Sequence, residues 1–298
     1  MEETKTRILL SGSAGMLGSA LCPTLMKRKH EVFATDLAPT TNEMKALDVR
    51  DFKQVEAMVK DVKPDIFMHL AAETDVDRCE LEPDHAYMTN TIGTQNVAIA
   101  CQRQNIIMVY ISTIGVFYGD KFEPYVEFDT PNPINVYGQS KLEGEKIVQS
   151  LLNKYYIVRA GWMVGGGPAR DKKFIGKIIR QLDENRTLKA VNDKIGSPTY
   201  TMDFSRCLSD LIETGFFGLY HCTNKGYCTR FDVAKKIVEI LGRTDVTVEP
   251  VSSAYFPLPA ERARSEMSRN YKLELLGLDT ARNWADALRD YIDTYWKK

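Results

Sequence analysis

Tyr137 and Lys141 stand four residues apart in Asn135-Val136-Tyr137-Gly138-Gln139-Ser140-Lys141, which follows Pro131 and Pro133 and reads as the start of a helix. That spacing places both side chains on one helical face. A phenol with a pKa near ~10 is a poor acid or base at neutral pH, and a neighbouring ammonium lowers that value by stabilising the phenolate. Such a phenol can give a proton to a carbonyl oxygen as hydride reaches the carbon. Ser112-Thr113 ends an apolar run just upstream, so the Thr113 hydroxyl is placed to donate to the same oxygen. Thr113, Tyr137 and Lys141 are therefore the candidate catalytic residues. A lone Y-x-x-x-K is usually a surface pair, and this one gains its weight from its position behind a strand-end hydroxyl.

Hydride chemistry needs a carrier, and Gly12-Ser13-Ala14-Gly15-Met16-Leu17-Gly18 offers a place for one. The first glycine of G-x-x-G-x-x-G permits a tight turn, the second admits a pyrophosphate to the backbone, and the third lets helix and strand pack closely. The helix beginning there presents free N–H groups and a positive dipole end. Gly12, Gly15, Met16, Leu17 and Gly18 are the expected phosphate cradle. Asp36 ends the second apolar run and is placed to hold an adenosine ribose. Its charge repels a 2′-phosphate and favours NADH, while Lys27, Arg28 and Lys29 are near enough to offset that; the cofactor is read as NAD(H) or NADP(H). Asp48 and Val49 are candidates to flank the adenine. Leu70, Ala71 and Ala72 end the third run and leave room for the nicotinamide ribose, which Lys141 and Tyr137 would also meet. His69, just before them, reads as a packed core histidine.

Short apolar runs alternate with amphipathic ones through the first half. Strands are expected at 7–11, 31–36, 66–70, 106–112 and 156–159, with helices at 16–28, 51–61, 83–104 and 136–153. That alternation predicts β-α-β units and a Rossmann-like, doubly wound parallel α/β sheet. Beyond about residue 162 the pattern predicts helices at 171–184, 201–214 and 229–241, strands at 187–191, 218–222 and 246–251, an irregular run over 252–269 and an amphipathic helix over 280–296. These form a smaller C-terminal α/β substrate lobe. The expected division is 1–161 for the dinucleotide, with 192–216 returning to it, and 162–298 mainly for substrate. In the irregular run Arg262 is a candidate for a nucleotide diphosphate, since arginine pairs bidentately with phosphate; a solvated surface arginine is the equal alternative.

The bulk composition excludes several classes. With 39 basic and 40 acidic residues the net charge is −1, so no global excess points to nucleic acid or a membrane surface. Met1-Glu2-Glu3-Thr4-Lys5 lacks the pattern of a secretory leader, and no apolar run reaches membrane-spanning length. Six scattered cysteines without a C-x-x-C pair read as reduced thiols, and a cytoplasmic location is expected. Cys222 and Cys228 near His221 match no zinc spacing, so no metal is expected.

Taken together, these features resemble the extended short-chain dehydrogenase/reductase superfamily, and within it the dTDP-4-dehydrorhamnose reductases. The matching stretches are Ala71-Ala72-Glu73-Thr74-Asp75-Val76-Asp77, Ile111-Ser112-Thr113, Tyr137-Gly138-Gln139-Ser140-Lys141-Leu142-Glu143-Gly144-Glu145, Val158-Arg159-Ala160-Gly161-Trp162 and Gly196-Ser197-Pro198-Thr199-Tyr200. The resemblance implies that Thr113, Tyr137 and Lys141 reduce the 4-keto group of a nucleotide-linked 6-deoxysugar to give dTDP-L-rhamnose. It also implies that Thr74, Val76, Thr113 and Trp162 line the sugar pocket. Two departures stand out. The family pattern Thr-Asp-Tyr-Val-Phe is here Thr113-Ile114-Gly115-Val116-Phe117, with glycine replacing the aromatic. Ala20 stands where some relatives carry an acidic residue for a magnesium-bridged dimer, so a monomer or weak homodimer is expected.

Three other readings share parts of this pattern. A 4,6-dehydratase would need acids where Ile114 and Gly115 stand. A nucleotide-sugar 4-epimerase suits the small residues after Ser112-Thr113 and is the second reading, behind a reductase favoured by Pro198-Thr199. A non-catalytic reductase-like binding subunit fits the fold but leaves an intact Thr113/Tyr137/Lys141 set unexplained.

Overall fold

A computed structural model describes residues 5–297, so the polar stretch Met1–Thr4 lies outside the described residues. Seven parallel strands form the main sheet: β1 (Arg7–Ser11), β2 (Glu31–Asp36), β3 (Lys45–Ala46), β4 (Ile66–His69), β5 (Ile107–Thr113), β6 (Tyr155–Ala160) and β7 (Gly218–His221), in the order β7-β6-β5-β4-β1-β2-β3. Strands buried on both faces need apolar residues at successive positions. Ile8, Leu9 and Leu10 are fully buried, and so are Phe67 and Met68. The strand order reverses between β1 and β4, which opens a crevice beyond their C-terminal ends, where ligands of open α/β sheets bind.

One face is covered by the helices Met16–Lys27 and Thr201–Ile212, whose Leu21, Leu25, Phe204 and Leu208 pack on Ile8, Leu10 and Val158. The other is covered by Phe52–Val62, Gly93–Gln104 and Val136–Leu151, through Val55, Val97 and Val148. A second core lies apart from both faces and joins Ile175, Ile178, Leu188, Val233, Ile237, Leu288 and Tyr291. It supports a small parallel pair, Thr187–Val191 with Thr247–Val251.

The long helix expected over 83–104 is interrupted. Pro83–Tyr87 runs into a π turn at Met88–Ile92 before Gly93–Gln104, and a separate helix, Val76–Leu81, precedes them. The wide turn carries Asn90, whose side chain accepts from Glu73 N–H (2.8 Å) and donates to Ser140 Oγ (3.0 Å). It thereby ties the loop after β4 to the helix that bears Tyr137. The run over 252–269 is likewise no solvated loop. Ser265–Glu266 pairs with Ile195–Gly196, Ser265 N–H donates to Gly119 O (3.2 Å), and Tyr125 N–H donates to Met267 O (2.8 Å). Short strands of two or three residues at Trp162–Val164, Ile195–Gly196 and Pro198–Tyr200 were not anticipated from the pattern.

The six cysteines form no disulfide. Among the described residues no helix is long and apolar enough to cross a membrane, and no cluster of three His, Cys, Asp or Glu could hold a metal.

His69 and His221 are buried in this core, and burial pushes both down to about 3, with Lys141 and Arg159 respectively adding to the effect. Each folded pKa lies below its ordinary value, so the unfolded chain binds the proton better. The stability is therefore complete above pH ~6.5 and is lost as pH falls toward 3, at about 1.4 kcal/mol per pH unit for each histidine. Urea midpoints should drop between pH 7.5 and 5, and His69→Gln with His221→Gln should flatten that dependence; an equally steep fall in the double variant contradicts this account.

Candidate active site

Asn135 fixes the start of the helix Val136–Leu151: its side chain accepts from Gly138 N–H at 2.9 Å and donates to Glu261 O at 2.8 Å. Tyr137, Lys141 and Glu145 then follow at intervals of one turn, facing the end of β5. Thr113 ends β5, and its Oγ1 accepts from Gly115 N–H (3.0 Å), leaving the hydroxyl hydrogen to be donated. The Tyr137 phenol lies against that hydroxyl. Lys141 is buried, with Nζ 4.1 Å from the centre of the Tyr110 ring.

The electrostatics differ from the expectation of a phenol lowered by lysine. Burial pushes Tyr137 up to about 12, partly offset by Thr113, and the charge of Glu266 adds to the rise. Burial pulls Lys141 down to about 7, against the opposing pull of Glu145. Desolvation is the largest cause for both groups, and neither owes its shift to the other. A phenol held this high keeps its proton at neutral pH, which suits a proton donor.

Behind the pair lies a buried ion pair that sequence reasoning did not single out. Glu145 accepts from Arg159 Nε (2.8 Å) and Nη2 (2.6 Å) and from Ser112 Oγ (2.5 Å), with the ionic side chains 2–3% exposed. Arg159 in β6 pairs in register with Ser112 in β5, each one residue before its strand ends, so adjacent strands both grip the helix that carries Lys141.

At the crevice, Gly12 has φ +77°, and a Cβ there would stand 2.6 Å from Ala71 N. The turn thus requires glycine, and it brings the loop against the small Ala71. A Cβ on Gly18 would collide with Ser13 O. The helix Met16–Lys27 starts without a side-chain cap and without an acid in its first turn, so the N–H groups of Met16, Leu17 and Gly18 remain for an anion. These features fit a dinucleotide pyrophosphate. Asp36 accepts from Ala14 N–H (3.0 Å) and Ala38 N–H (3.0 Å), one on each carboxylate oxygen. Each oxygen keeps a lone pair for a ribose hydroxyl. Arg170, also missed from sequence, donates to Ala14 O (3.0 Å) and reaches the same loop from the far side. It lines a cavity of about 560 Å³ together with Ser13, Thr35, Thr40 and Lys45.

Not every candidate converges on the crevice. Asp48 is held by the Arg50 main-chain N–H (2.9 Å) and by its guanidinium (Nε 2.9 Å, Nη2 2.7 Å), and Val49 is buried beside Gly93. Leu70 is half-buried and its N–H donates to Ser11 O (3.1 Å), with Ala72 beyond it on the same loop. Thr74 is exposed at the rim and Val76 half-buried. Trp162 stands across the cleft, its Nε1 donating to Glu266 Oε2 and its face under the Arg230 guanidinium at 3.8 Å. Arg262 is paired with Asp77 (3.0 Å) and donates to Ala260 O (2.8 Å). Glu266 and Arg230 escaped sequence reasoning because only the pairing of Ser265–Glu266 and of Cys228–Thr229 with Ile195–Gly196 brings them together at Trp162.

Comparison with known proteins adds three findings. The family model described as RmlD substrate binding domain matches residues 6–296. The chain is 33% identical over 288 residues to a dTDP-4-dehydrorhamnose reductase of Mycolicibacterium smegmatis, covering 96% of this chain and 85% of the relative. It also resembles the solved dTDP-4-dehydrorhamnose reductases of Clostridium acetobutylicum (TM-score 0.90, 38% identity, 97% and 99% coverage) and of Bacillus anthracis in complex with NADP (TM-score 0.91, 37% identity, 98% and 100% coverage).

Proposed function

Since this chain belongs to the RmlD substrate binding domain family, we propose that it uses NAD(P)H to reduce the 4-keto group of a nucleotide-linked deoxysugar, turning dTDP-4-dehydro-L-rhamnose into dTDP-L-rhamnose. The observation that carries this reading is Tyr137 against Thr113, with Lys141 buried one turn further along the same helix, in a fold that also has an uncapped, glycine-led helix N-terminus. A nicotinamide dinucleotide, when bound, supplies the hydride. The loop Gly12–Gly18 holds its diphosphate, Asp36 a ribose, and Lys141 the nicotinamide ribose. Arg170 and Lys45, in the cavity beside Asp36, offer charge for a 2′-phosphate, so the site admits NADPH as well as NADH.

The Thr113 hydroxyl donates to the keto oxygen and aligns it. Tyr137 gives its proton to that oxygen as the carbonyl carbon is reduced, leaving an alcohol and a phenolate. The Lys141 ammonium stabilises the phenolate until a proton returns. Thr74, Val76 and Trp162 would enclose the sugar.

The reading extends to a two-part chain: 1–161 with 192–216 for the dinucleotide, and mainly 162–298 for the sugar nucleotide. The separate core around Ile178, Ile237 and Tyr291 supports it, and the pairing of β7 with β6 extends the first part to 218–221. It extends also to a cytoplasmic monomer or weak homodimer without nucleic-acid or membrane partners. Ala20, buried and without a ligand group, supports the absence of a metal bridge.

The test is direct. Protein, NADPH and a dTDP-4-keto-6-deoxysugar should lose absorbance at the nicotinamide band with stoichiometric formation of the 4-hydroxy sugar. Sugar inversion without cofactor consumption would instead support the epimerase, which the small Gly115 beside Thr113 favours. Cofactor binding with no turnover would support a binding subunit.

A further inference from the structure

Position 115 is where this chain departs from the family pattern, and a carboxylate from another part of the fold borders the space there. A Cβ on Gly115 would lie 3.3 Å from Thr113 Oγ1 and 3.4 Å from Glu266 Oε1. The two oxygens therefore lie within about 7 Å of each other, both bordering the place an aromatic side chain would begin.

Glu266 is held firmly. Its main-chain oxygen accepts from Ser197 N–H (3.2 Å), its strand pairs with Ile195–Gly196, and Oε2 accepts from Trp162 Nε1. Arg230, stacked over the same tryptophan at 3.8 Å from the ring centre, keeps the carboxylate in the neighbourhood of a cation. Among the described residues none donates a hydrogen bond to Oε1. A half-buried carboxylate with one oxygen anchored and the other directed toward the Thr113 side of the cleft is an acceptor in want of a donor.

We propose that Glu266 is a substrate-contacting specificity residue: Oε1 accepts a hydrogen bond from a sugar hydroxyl on the carbon beside the reacting carbonyl, in the space left by glycine at 115. A keto oxygen on Thr113 and a neighbouring hydroxyl on Glu266, each at a hydrogen-bond length of about 2.8 Å, cover the distance between the two side chains. This rests on the sugar-nucleotide reading above. A sugar lacking that hydroxyl leaves a desolvated carboxylate oxygen unpaired, a penalty of about 10- to 100-fold for a hydrogen bond to a charged group.

The experiment compares a dTDP-4-keto-6-deoxysugar with its 3-deoxy analogue as substrates. In parallel it compares dTDP-glucose with dTDP-3-deoxyglucose as unreactive ligands, read by tryptophan fluorescence. Wild type should prefer the hydroxylated member of each pair by about 10- to 100-fold. Glu266→Ala should bring both ratios to within about 3-fold, and Glu266→Gln, which keeps an acceptor for Trp162, should lower them partially. A role confined to holding Trp162 would weaken both members equally, so ratios unchanged in Glu266→Ala overturn the proposal, as does a wild type without preference. Should Glu266→Ala not fold, ratios in Glu266→Gln equal to wild type have the same force. If wild type reduces neither keto sugar, the reductase reading fails, and the binding ratios still decide the role of Glu266.

Discussion

Tyr137→Phe should lower kcat by roughly 10²–10⁴-fold, the usual contribution of a positioned general acid. The change deletes one oxygen and leaves the ring, so the packing that half-buries it is retained. The dinucleotide contacts proposed for Gly12–Gly18, Asp36 and Lys141 are untouched, and NADPH affinity, read by fluorescence titration, should move by less than about 3-fold. The high pKa of this phenol, about 12, also sets a direction. It starts protonated and is ready to donate in reduction; oxidation of the product sugar needs the phenolate and should accelerate with rising pH. Turnover near the wild-type rate in the phenylalanine variant would sink the assignment of Tyr137 as proton donor.

The second large effect is expected behind the site, at Glu145→Gln. Arg159 and Glu145 are 2–3% exposed and satisfy one another through two hydrogen bonds. Neutralising one member strands a buried guanidinium, which costs about 3–5 kcal/mol. For a chain of this size that corresponds to a fall in Tm of roughly 5–8 °C. The same change should be visible in kinetics. The ammonium of Lys141 is present below its pKa of about 7 and lost above it, so wild-type kcat/KM should decline as pH rises through that value. The Glu145 charge holds the lysine up against burial. Its removal lowers the lysine further, and the decline should begin at lower pH. A variant that is less stable but has an unmoved pH profile would confine Glu145 to a structural role.

Much of the architecture could be read from residue order because strands buried on both faces must be apolar throughout. Arg7–Ser11, Ile66–His69 and Ile107–Thr113 announce themselves in this way, and Gly12 marks where the first must turn. The limits are equally physical. Strands of two or three residues, such as Ile195–Gly196, carry no periodicity, and they decide which distant side chains enter the cleft. Arg262 could be divided between a phosphate and the surface from its neighbours alone; Asp77, 185 positions earlier, is what holds it. The direction of the Tyr137 shift was beyond reach for a similar reason. The lysine four residues away is visible in the sequence, whereas the burial that sets the direction belongs to the assembled fold.

The seventh strand has a consequence for biosynthesis. Gly218–His221 lies beside Tyr155–Ala160 in the sheet, yet about sixty residues separate them in the chain. At a ribosomal pace of roughly 5–20 residues per second, that gap lasts several seconds. Meanwhile Tyr155–Ala160 is the open edge of a nascent parallel sheet, and the apolar face that Phe204, Leu208 and Leu211 later cover is exposed. Unpaired edges of this kind invite association with other chains. A polypeptide released near residue 161 would carry every glycine and hydroxyl named for the cofactor and still be a poor candidate for a soluble protein, leaving this interval of synthesis to chaperones.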